Sequence, residues 1–524
     1  MMLRKRAGRL PACILTTLLA LPAGLHAQDM ATGVVFEDTN GNGLRDTDEP
    51  GIPGVAVSNG LDVVLTDEEG RYELPVTDNT ILFVTKPSGY DVPLSENSIP
   101  QFYYIHKPEG SPALYFRGVE PTGPLPESVD FPLIPADDPD QFKAIIFADP
   151  QPESYDELYH MQDKVLSELI GTEARFAVVL GDIMFDHLNM FPDYIQVIGT
   201  VGIPFYHVVG NHDLNRDAPD NETSTETYQR YFGPVDFSWQ MGDVHFVSMN
   251  NIKWRGSEDG GYGGGYHTGL DENQLEWLRN DLAAAGTDKL VVICMHGPAY
   301  HHASGRRLPG LDEMMEMLVD HPGVLVLSGH THTAMRGRLG PEEGWEGEGP
   351  WEELTAVTVS GSWWSGPRDH TGIPLGLQSD GVPSGYTIAE FDGTDFTLRY
   401  KGGMLPSSHQ MSIHPPGQHQ NGEEPGRTLL ANVYYAFPDS EVEYRLNGGE
   451  WRPMEFNPQR DPLARALFDG PFNHGKPLVG SVTARHIWEA RVPDELPRFR
   501  PNRWEVRATL PDGQVLTGAR SHTP

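Results

Sequence analysis

The stretch Phe176-Ala177-Val178-Val179-Leu180-Gly181-Asp182 decides the fold. An apolar run stops abruptly at a glycine and a carboxylate. Phe205-Tyr206-His207-Val208-Val209 does the same at Gly210-Asn211-His212-Asp213. Short apolar runs rich in β-branched residues that end in Gly and a polar cluster predict buried parallel strands opening into loops. Three more runs follow the rule. Phe142–Phe147 leads to Asp149-Pro150-Gln151, Leu290–Met295 to His296-Gly297-Pro298, and Val324–Ser328 to Gly329-His330-Thr331-His332. In an α/β sheet such loops collect in the crevice beyond the carboxyl ends of the strands, where ligands bind. Asp149, Gln151, Asp182, Asn211, His296, His330 and His332 are therefore candidate metal ligands.

The rest of the chain frames this middle part. With 524 residues it is too long for one core and predicts several domains. Residues 1–27 have a basic start and an apolar stretch too short to span a bilayer. They read as a secretory signal peptide, which predicts a periplasmic or secreted protein. Residues 28–136 show short strands split by Asn, Asp, Gly and Pro, the pattern of a small β-sandwich. Residues 137–402 hold the α/β pattern, with helices expected over 157–170 and 270–285. The later strands, near 355–361, 386–391 and 396–400, are expected to form a second sheet. Residues 403–425 read as a linker, and 426–524 as a second, smaller β-sandwich.

The formal charge is −36, and losing the four basic residues of the leader takes it to −40. So acidic a chain does not attract polyanions over long range, and neither nucleic acid polymers nor anionic membranes are expected as partners. Of the two cysteines, Cys13 leaves with the leader, and Cys294 lies inside a strand run, so no intrachain disulfide is expected. No later stretch predicts a transmembrane segment, and the oligomeric state is not legible.

In the first sandwich, Asp38-Thr39-Asn40-Gly41-Asn42-Gly43-Leu44-Arg45-Asp46-Thr47-Asp48-Glu49 fits the calcium loop position by position. Oxygen side chains from Asp38, Asn40, Asn42, Asp46 and Glu49 fall where calcium needs hard ligands, and Gly43 permits the sharp turn. A structural calcium is expected. The loop resembles those of the calcium-bound β-sandwich repeats of bacterial surface proteins.

Each strand-end motif alone is an ordinary turn; their joint occurrence carries the reading. Hard oxygens mixed with imidazoles suit Mn, Fe, Zn or related divalent ions. Two such ions about 3.5–4 Å apart clamp the attacking and leaving oxygens of an in-line phosphoryl displacement. The set Asp149-x-Gln151, Gly181-Asp182, Gly210-Asn211-His212-Asp213, His296 and Gly329-His330-x-His332 resembles the calcineurin-like metallophosphoesterases. The flanking sheets resemble the N- and C-terminal β-domains of a secreted bacterial branch of that family.

The resemblance implies a four-layer α/β/β/α core flanked by two small β-sandwich domains. It implies that Asp149, Gln151 and His332 hold one metal, that Asn211, His296 and His330 hold the other, and that Asp182 bridges them. His212 would act on the leaving oxygen, Asp213 would orient His212, and a metal-bridging hydroxide would be the nucleophile. Gln151 stands where the family commonly has His. Its neutral carbonyl oxygen favours Mn, with Fe, Zn or Mg as alternatives. The same Asp-Pro-Gln variant resembles a branch that includes manganese-dependent nucleotide-diphosphate hydrolases and a cytosolic protein phosphatase. The absence of an evident tyrosine ligand points away from the purple acid phosphatase branch.

Arg306 and Arg307, together with Lys253 and Arg255, are candidates for a non-bridging phosphate oxygen, with solvated loop charge as the plain alternative. Trp363 and Trp364 can stack on a base or sugar, or simply pack. The function expected is hydrolysis of phosphomonoester, phosphodiester or nucleotide-type phosphoanhydride bonds in a small phosphorylated substrate. The alternative is a non-catalytic surface- or matrix-binding β-sandwich protein with a degenerate central domain. A degenerate domain should have lost ligands, and only the His-to-Gln exchange is seen.

Overall fold

The computed structural model describes residues 29–257, 264–417, 427–470, 480–492 and 500–523. The expected leader and part of the expected linker lie outside them. Among the described residues, no helix is long and apolar enough to cross a membrane.

Two sheets build the centre. The first has the order Phe205–Val208, Phe176–Leu180, Gln141–Phe147, Gly385–Asp392, Asp395–Gly402. Its first three strands are parallel and the last two antiparallel. The second runs Phe237–Met241, Val244–Ser248, Leu290–Cys294, Val324–Ser328, Trp351–Thr355, Met335–Leu339. Its four inner strands are parallel and both edge strands antiparallel.

Strand periodicity sorts the layers. Ala144, Ile146, Val178 and Leu180 point into the core shared with the second sheet, while Ile145, Phe147, Ala177 and Val179 join the core on the other face. Between the sheets, Phe176 meets Phe246 edge-on at 5.2 Å, and Tyr206 stacks on Trp239 at 4.3 Å. Helices Tyr155–Lys164 and Phe191–Gly199 bury Leu158, Met161, Phe191, Tyr194 and Ile198 on the first sheet. Helices Glu272–Ala285 and Leu311–Leu318 bury Trp277, Leu278, Met314 and Leu318 on the second. The result is the expected four-layer α/β/β/α core.

Local chemistry explains the helix starts. Ser154 accepts a hydrogen bond from Glu157 N–H, and Asp271 forms a reciprocal capping box with Gln274. The first expected helix is shorter than predicted: it closes at Lys164, and a short 3₁₀ turn, Leu166–Leu169, follows.

Two expectations are corrected. Strands Gly385–Asp392 and Asp395–Gly402 do not make the second sheet; they extend the first, because Gly385–Asp392 takes the open edge of Gln141–Phe147. Residues 356–361 are loop, and the second sheet is recruited from Phe237 onward. The stretch 403–425 is not simply a linker either. Met411–His414 pairs with Thr428–Val433, and its alternating Met411 and Ile413 enter the C-terminal core.

Flanking sheets pack on this centre from both ends. Two four-stranded sheets at the N-terminal side contribute Lys107, whose ammonium meets the buried Glu226 carboxylate at 2.5 Å. At the C-terminal side two more four-stranded sheets surround Trp488 and Trp504. Their Tyr435 hydroxyl accepts a hydrogen bond from Val357 N–H at 2.8 Å.

Candidate metal centre

Five loops leave the carboxyl ends of five parallel strands, three from the first sheet and two from the second, and converge. Their backbone is unusual. Asp149 (φ 46°), Gln151 (φ 42°), Asp182 (φ 50°), His330 (φ 73°) and His332 (φ 51°) all occupy the left-handed region. Non-glycine residues rarely do so, and such strain clusters where side chains must be aimed. Glycines make room for them. A Cβ on Gly210 would strike the backbone nitrogen of Asp182, and one on Gly329 would strike the Asp149 carboxylate.

All seven candidate ligands lie in one contiguous cluster. Gln151 Nε2 donates to Asp182 Oδ2 at 2.9 Å. Around His296 Nε2 lie Asp182 Oδ1 at 3.2 Å, Asn211 Oδ1 at 3.1 Å and His330 Nδ1 at 3.1 Å. His330 N–H donates to both Asp149 oxygens, at 3.1 and 2.9 Å, and His332 Nε2 lies 3.5 Å from Asp149 Oδ1. Six of the seven are buried, and His330 is partly exposed. Further groups fix the rings. His296 Nδ1 donates to Leu180 C=O at 2.8 Å and His332 Nδ1 to Gly361 C=O at 2.5 Å, which leaves each Nε2 as the ligating nitrogen.

These residues fit divalent metals. Gln151 Oε1 is buried with no hydrogen-bond partner, an acceptor waiting for a cation. Electrostatics agree. Burial, with the nearby His296 charge adding to it, pushes His330 down to about 3; burial likewise holds His332 at about 4, so both imidazoles stay neutral, as ligands must. Burial would also lower His296, but the Asp182 carboxylate outweighs it and lifts that imidazole to about 9. Burial would raise Asp182, yet His296 and His212 hold it well below the usual carboxylate range. Asp149, deprived of water and facing Asp182, rises to about 7. Acceptor atoms thus crowd a small volume, and one of them, Gln151 Oε1, has no partner.

His212 sits at the rim. Its N–H donates to Asp182 Oδ1 at 2.8 Å, its ring stacks on Phe185 at 4.4 Å, and its Nδ1 donates to Asp186 Oδ1 at 2.8 Å. Sequence reasoning gave that orienting role to Asp213, and this is corrected. Asp213 is fully buried and accepts the N–H groups of Ile183, Met184 and Gly210, so it ties two site loops together. Asp186 (φ 64°) was missed, although it lies only four residues beyond Asp182 on the same loop. Arg216, also missed, reaches the same Asp186 oxygen at 2.7 Å, and its buried Nε has no partner. Tyr266 packs edge-on to His330 at 6.0 Å and completes the rim.

The expected substrate residues sit elsewhere or act differently. Arg307 is engaged by Asp312 and donates to Glu343 C=O at 2.6 Å. Arg306 is exposed on a two-residue strand paired with Tyr300–His301. Lys253 is bound to Asp271 at 2.7 Å and to Gln274. Trp363 stacks on His332 at 4.2 Å, and Trp364 donates to Pro150 C=O at 2.8 Å. Both tryptophans pack against the ligand loops rather than standing free for a base.

The Asp38–Glu49 loop is held by its own hydrogen bonds. Asp38 accepts from Gly41, Asn42 and Gly43 N–H, Glu49 accepts from Thr39 and Asp46 N–H, and the Asn40 and Asn42 amides donate to Asp46. Asp38 and Glu49 are buried.

Three family models match this chain: N terminal of Calcineurin-like phosphoesterase over 39–118, Calcineurin-like phosphoesterase over 142–334, and C terminal of Calcineurin-like phosphoesterase over 353–515. Among curated proteins, YvnB of Bacillus subtilis (strain 168), itself uncharacterized, is 27% identical over 147 residues, which are 27% of this chain and 11% of that one. Serine-aspartate repeat-containing protein D of Staphylococcus aureus (strain Newman) is 45% identical over 64 residues, 11% of this chain and 5% of that one. The chain thus spans about a tenth or less of the length of these relatives. Among solved structures, a dimetal phosphatase from Danio rerio is 16% identical, with TM-score 0.33, over 49% of this chain and 98% of that one. Purple acid phosphatase PPD1 from yellow lupin (Lupinus luteus) is 12% identical, with TM-score 0.34, over 66% of each chain.

Proposed function

We propose that this chain, which belongs to the calcineurin-like phosphoesterases, is a secreted dinuclear-metal hydrolase of small phosphoric esters or nucleotide-type phosphoanhydrides. One observation carries the reading: seven metal-type donors from five loops form one cluster, in which Gln151 Oε1 is buried without a partner. Asp149, Gln151 and His332 would hold one ion, Asn211, His296 and His330 the other, and Asp182 would serve both. Bound there, divalent ions supply Lewis acidity to a phosphoryl oxygen and make water a better nucleophile near neutral pH. The carbonyl of Gln151 favours manganese.

The residues around the donors have separate tasks. With Nδ1 committed to Asp186, His212 offers Nε2 to a leaving oxygen. Burial would lower its pKa, but Asp182 and Asp186 outweigh that and raise it, which favours the protonated ring that a general acid needs. Arg216, anchored by Asp186, brings a cation into a strongly acidic protein and is a better phosphate partner than Arg306 or Arg307. Tyr266 and Phe185 wall the rim and limit water. The Asp38–Glu49 loop is proposed to bind a structural calcium, and the leader-like residues 1–27 support export.

The test is turnover of bis-p-nitrophenyl phosphate beside p-nitrophenyl phosphate by metal-stripped protein refilled with Mn, Zn, Fe or Mg. Metal-dependent hydrolysis that vanishes in Asn211→Ala is expected, with two bound transition metals by elemental analysis. A protein that binds no such metal and turns over neither substrate nor a nucleotide anhydride would instead be the surface-binding alternative.

A further inference from the structure

His332 has a strained backbone, with φ 51°, and such a position persists only where its surroundings over-determine it. Two supports hold this residue, and both lean on the C-terminal sheets.

The first support is the hairpin over residues 376–384. Gln378 N–H donates to Val382 C=O at 2.8 Å and Gly381 N–H to Gln378 C=O at 3.0 Å, which puts Asp380 at the tip. On the metal side, Ser379 N–H donates to His332 C=O at 3.3 Å, and Asp380 Oδ2 accepts the N–H of Ala334 at 2.6 Å. On the other side the same oxygen lies 3.2 Å from His486 Nε2. His486 precedes strand Ile487–Arg491, and its Nδ1 donates to Asn432 Oδ1 at 2.6 Å. Asn432, on strand Thr428–Val433, donates from Nδ2 to Asp380 C=O at 3.0 Å. Val482 N–H donates to Ser379 C=O at 3.0 Å. Asp380, Asn432 and His486 are all buried. The approach is close, because a Cβ on Gly381 would strike the Asp461 carboxylate.

The second support is Trp363, whose ring stacks on His332 at 4.2 Å. That indole packs in one cluster with Leu377 of the hairpin and with Ala464 and Phe468 from the C-terminal part of the chain. Backbone and ring of one candidate ligand thus rest, one step removed, on the same sheets.

We propose that the C-terminal sheets belong to the metal centre, and that Asp380 is the positioning residue through which they aim His332. The inference rests on the reading of His332 as a metal ligand. A satisfied buried network fixes one geometry, and groups that orient a ligand from outside tune how tightly the metal is held. Released from Asp380, the loop after His330 is free to relax out of the left-handed region, and the imidazole leaves the point where the ion needs it.

The experiment uses the full-length protein, stripped of metal and refilled with Mn or Co. Affinity is read by competition with a chelating dye, and the visible absorption of the Co form reports how the ion is coordinated. Asp380→Ala should weaken metal binding by roughly tenfold or more and change the Co spectrum. Asp380→Asn keeps an acceptor oxygen for Ala334 N–H and should recover most of the affinity. Should Asp380→Ala fail to fold, His486→Gln reads the same quantity from the far side of the carboxylate, with a loss of several-fold. Val506→Ala, in the core of the C-terminal sheets, is the structural control: it should lower the melting temperature and leave both metal readouts unchanged. Parent-like affinity in Asp380→Ala or, where that variant does not fold, in His486→Gln overturns the proposal, and so does an equal loss in Val506→Ala. A parent protein that binds no transition metal overturns the metal-centre reading itself, so the two failures are distinguishable.

Discussion

The metal-type cluster and the Asp38–Glu49 loop both gather oxygen donors, but they are built in opposite ways. The first draws its donors from Asp149 to His332, across two sheets, and five of its seven ligands have positive φ. The second is continuous, and its positive φ values fall only on Gly41 and Gly43. In the cluster the fold imposes geometry and leaves an acceptor unsatisfied; in the loop the chain satisfies its own carboxylates with its own N–H groups. A donor set assembled by tertiary structure is prepared before its ligand arrives. A local one can rearrange around an ion, at the cost of its internal hydrogen bonds.

The largest effect that separates the two is expected at Asp182. Asp182→Ala should lower kcat/KM by roughly 10³-fold or more and remove bound transition metal, whereas Asp38→Ala should leave turnover within about twofold. Comparable losses from both substitutions would erase the distinction.

Next comes the pair Asp186 and Asp213. Asp186→Asn should cost about 10²-fold in kcat and shift the alkaline limb of the pH–rate profile to lower pH, with the fold intact. Asp213→Ala strands three buried N–H groups and should mainly destabilise, by about 3 kcal/mol or more in urea unfolding. An Asp186 variant with unchanged kcat would return the orienting role to Asp213.

Glycine spacing gives a smaller effect. Gly210→Ala pushes a Cβ into Asp182 and should weaken metal binding by about 10- to 100-fold, read by competition with a chelating dye. Gly41→Ala meets nothing nearby and pays only for its positive φ, so metal binding should be unchanged.

Smaller again is calcium. Adding calcium to chelator-treated protein should raise the melting temperature by a few degrees, about what binding well above Kd supplies, and Asp38→Ala should abolish the shift.

The smallest effect concerns His207, which sits on the strand that delivers Asn211 and is buried against Tyr194. Burial lowers its pKa to about 3, below the ordinary 6.5. The unfolded chain therefore binds a proton that the folded one refuses. Its contribution is complete above about pH 6.5 and is lost as pH falls towards 3. His207→Gln should flatten the decline of stability between about pH 6.5 and 4, and an unchanged slope would assign that decline to other buried histidines.

Much of this was legible in the sequence. The apolar runs before Asp149, Asp182, Asn211, His296 and His330 mark strand ends without any coordinates, because a strand buried on both faces must be apolar throughout and its polar groups must wait for the loop. The calcium-type loop is equally readable, since all its donors lie within one local spacing. Asp186 and Arg216 were not legible. Nothing in their spacing says that they meet at one oxygen, and Asp213, adjacent in sequence to His212, drew the role that geometry gives to a residue 26 positions earlier. Trp363 and Trp364 show the same limit: an exposed aromatic pair and a half-buried brace for His332 look alike in sequence.

By itself the sequence determined which segments become the buried parallel strands that carry the site, which residues end them, and what chemistry those residues can supply. Such choices rest on hydrophobic period and backbone freedom, which act over a few neighbours. Only the tertiary structure decided that Gly385–Asp392 joins the first sheet, that Met411–His414 belongs to the last one, and which acid holds His212. Those outcomes depend on which edge is open and which side chains meet across long loops. Contacts between residues far apart in the chain are fixed by packing as a whole, not by any local signal.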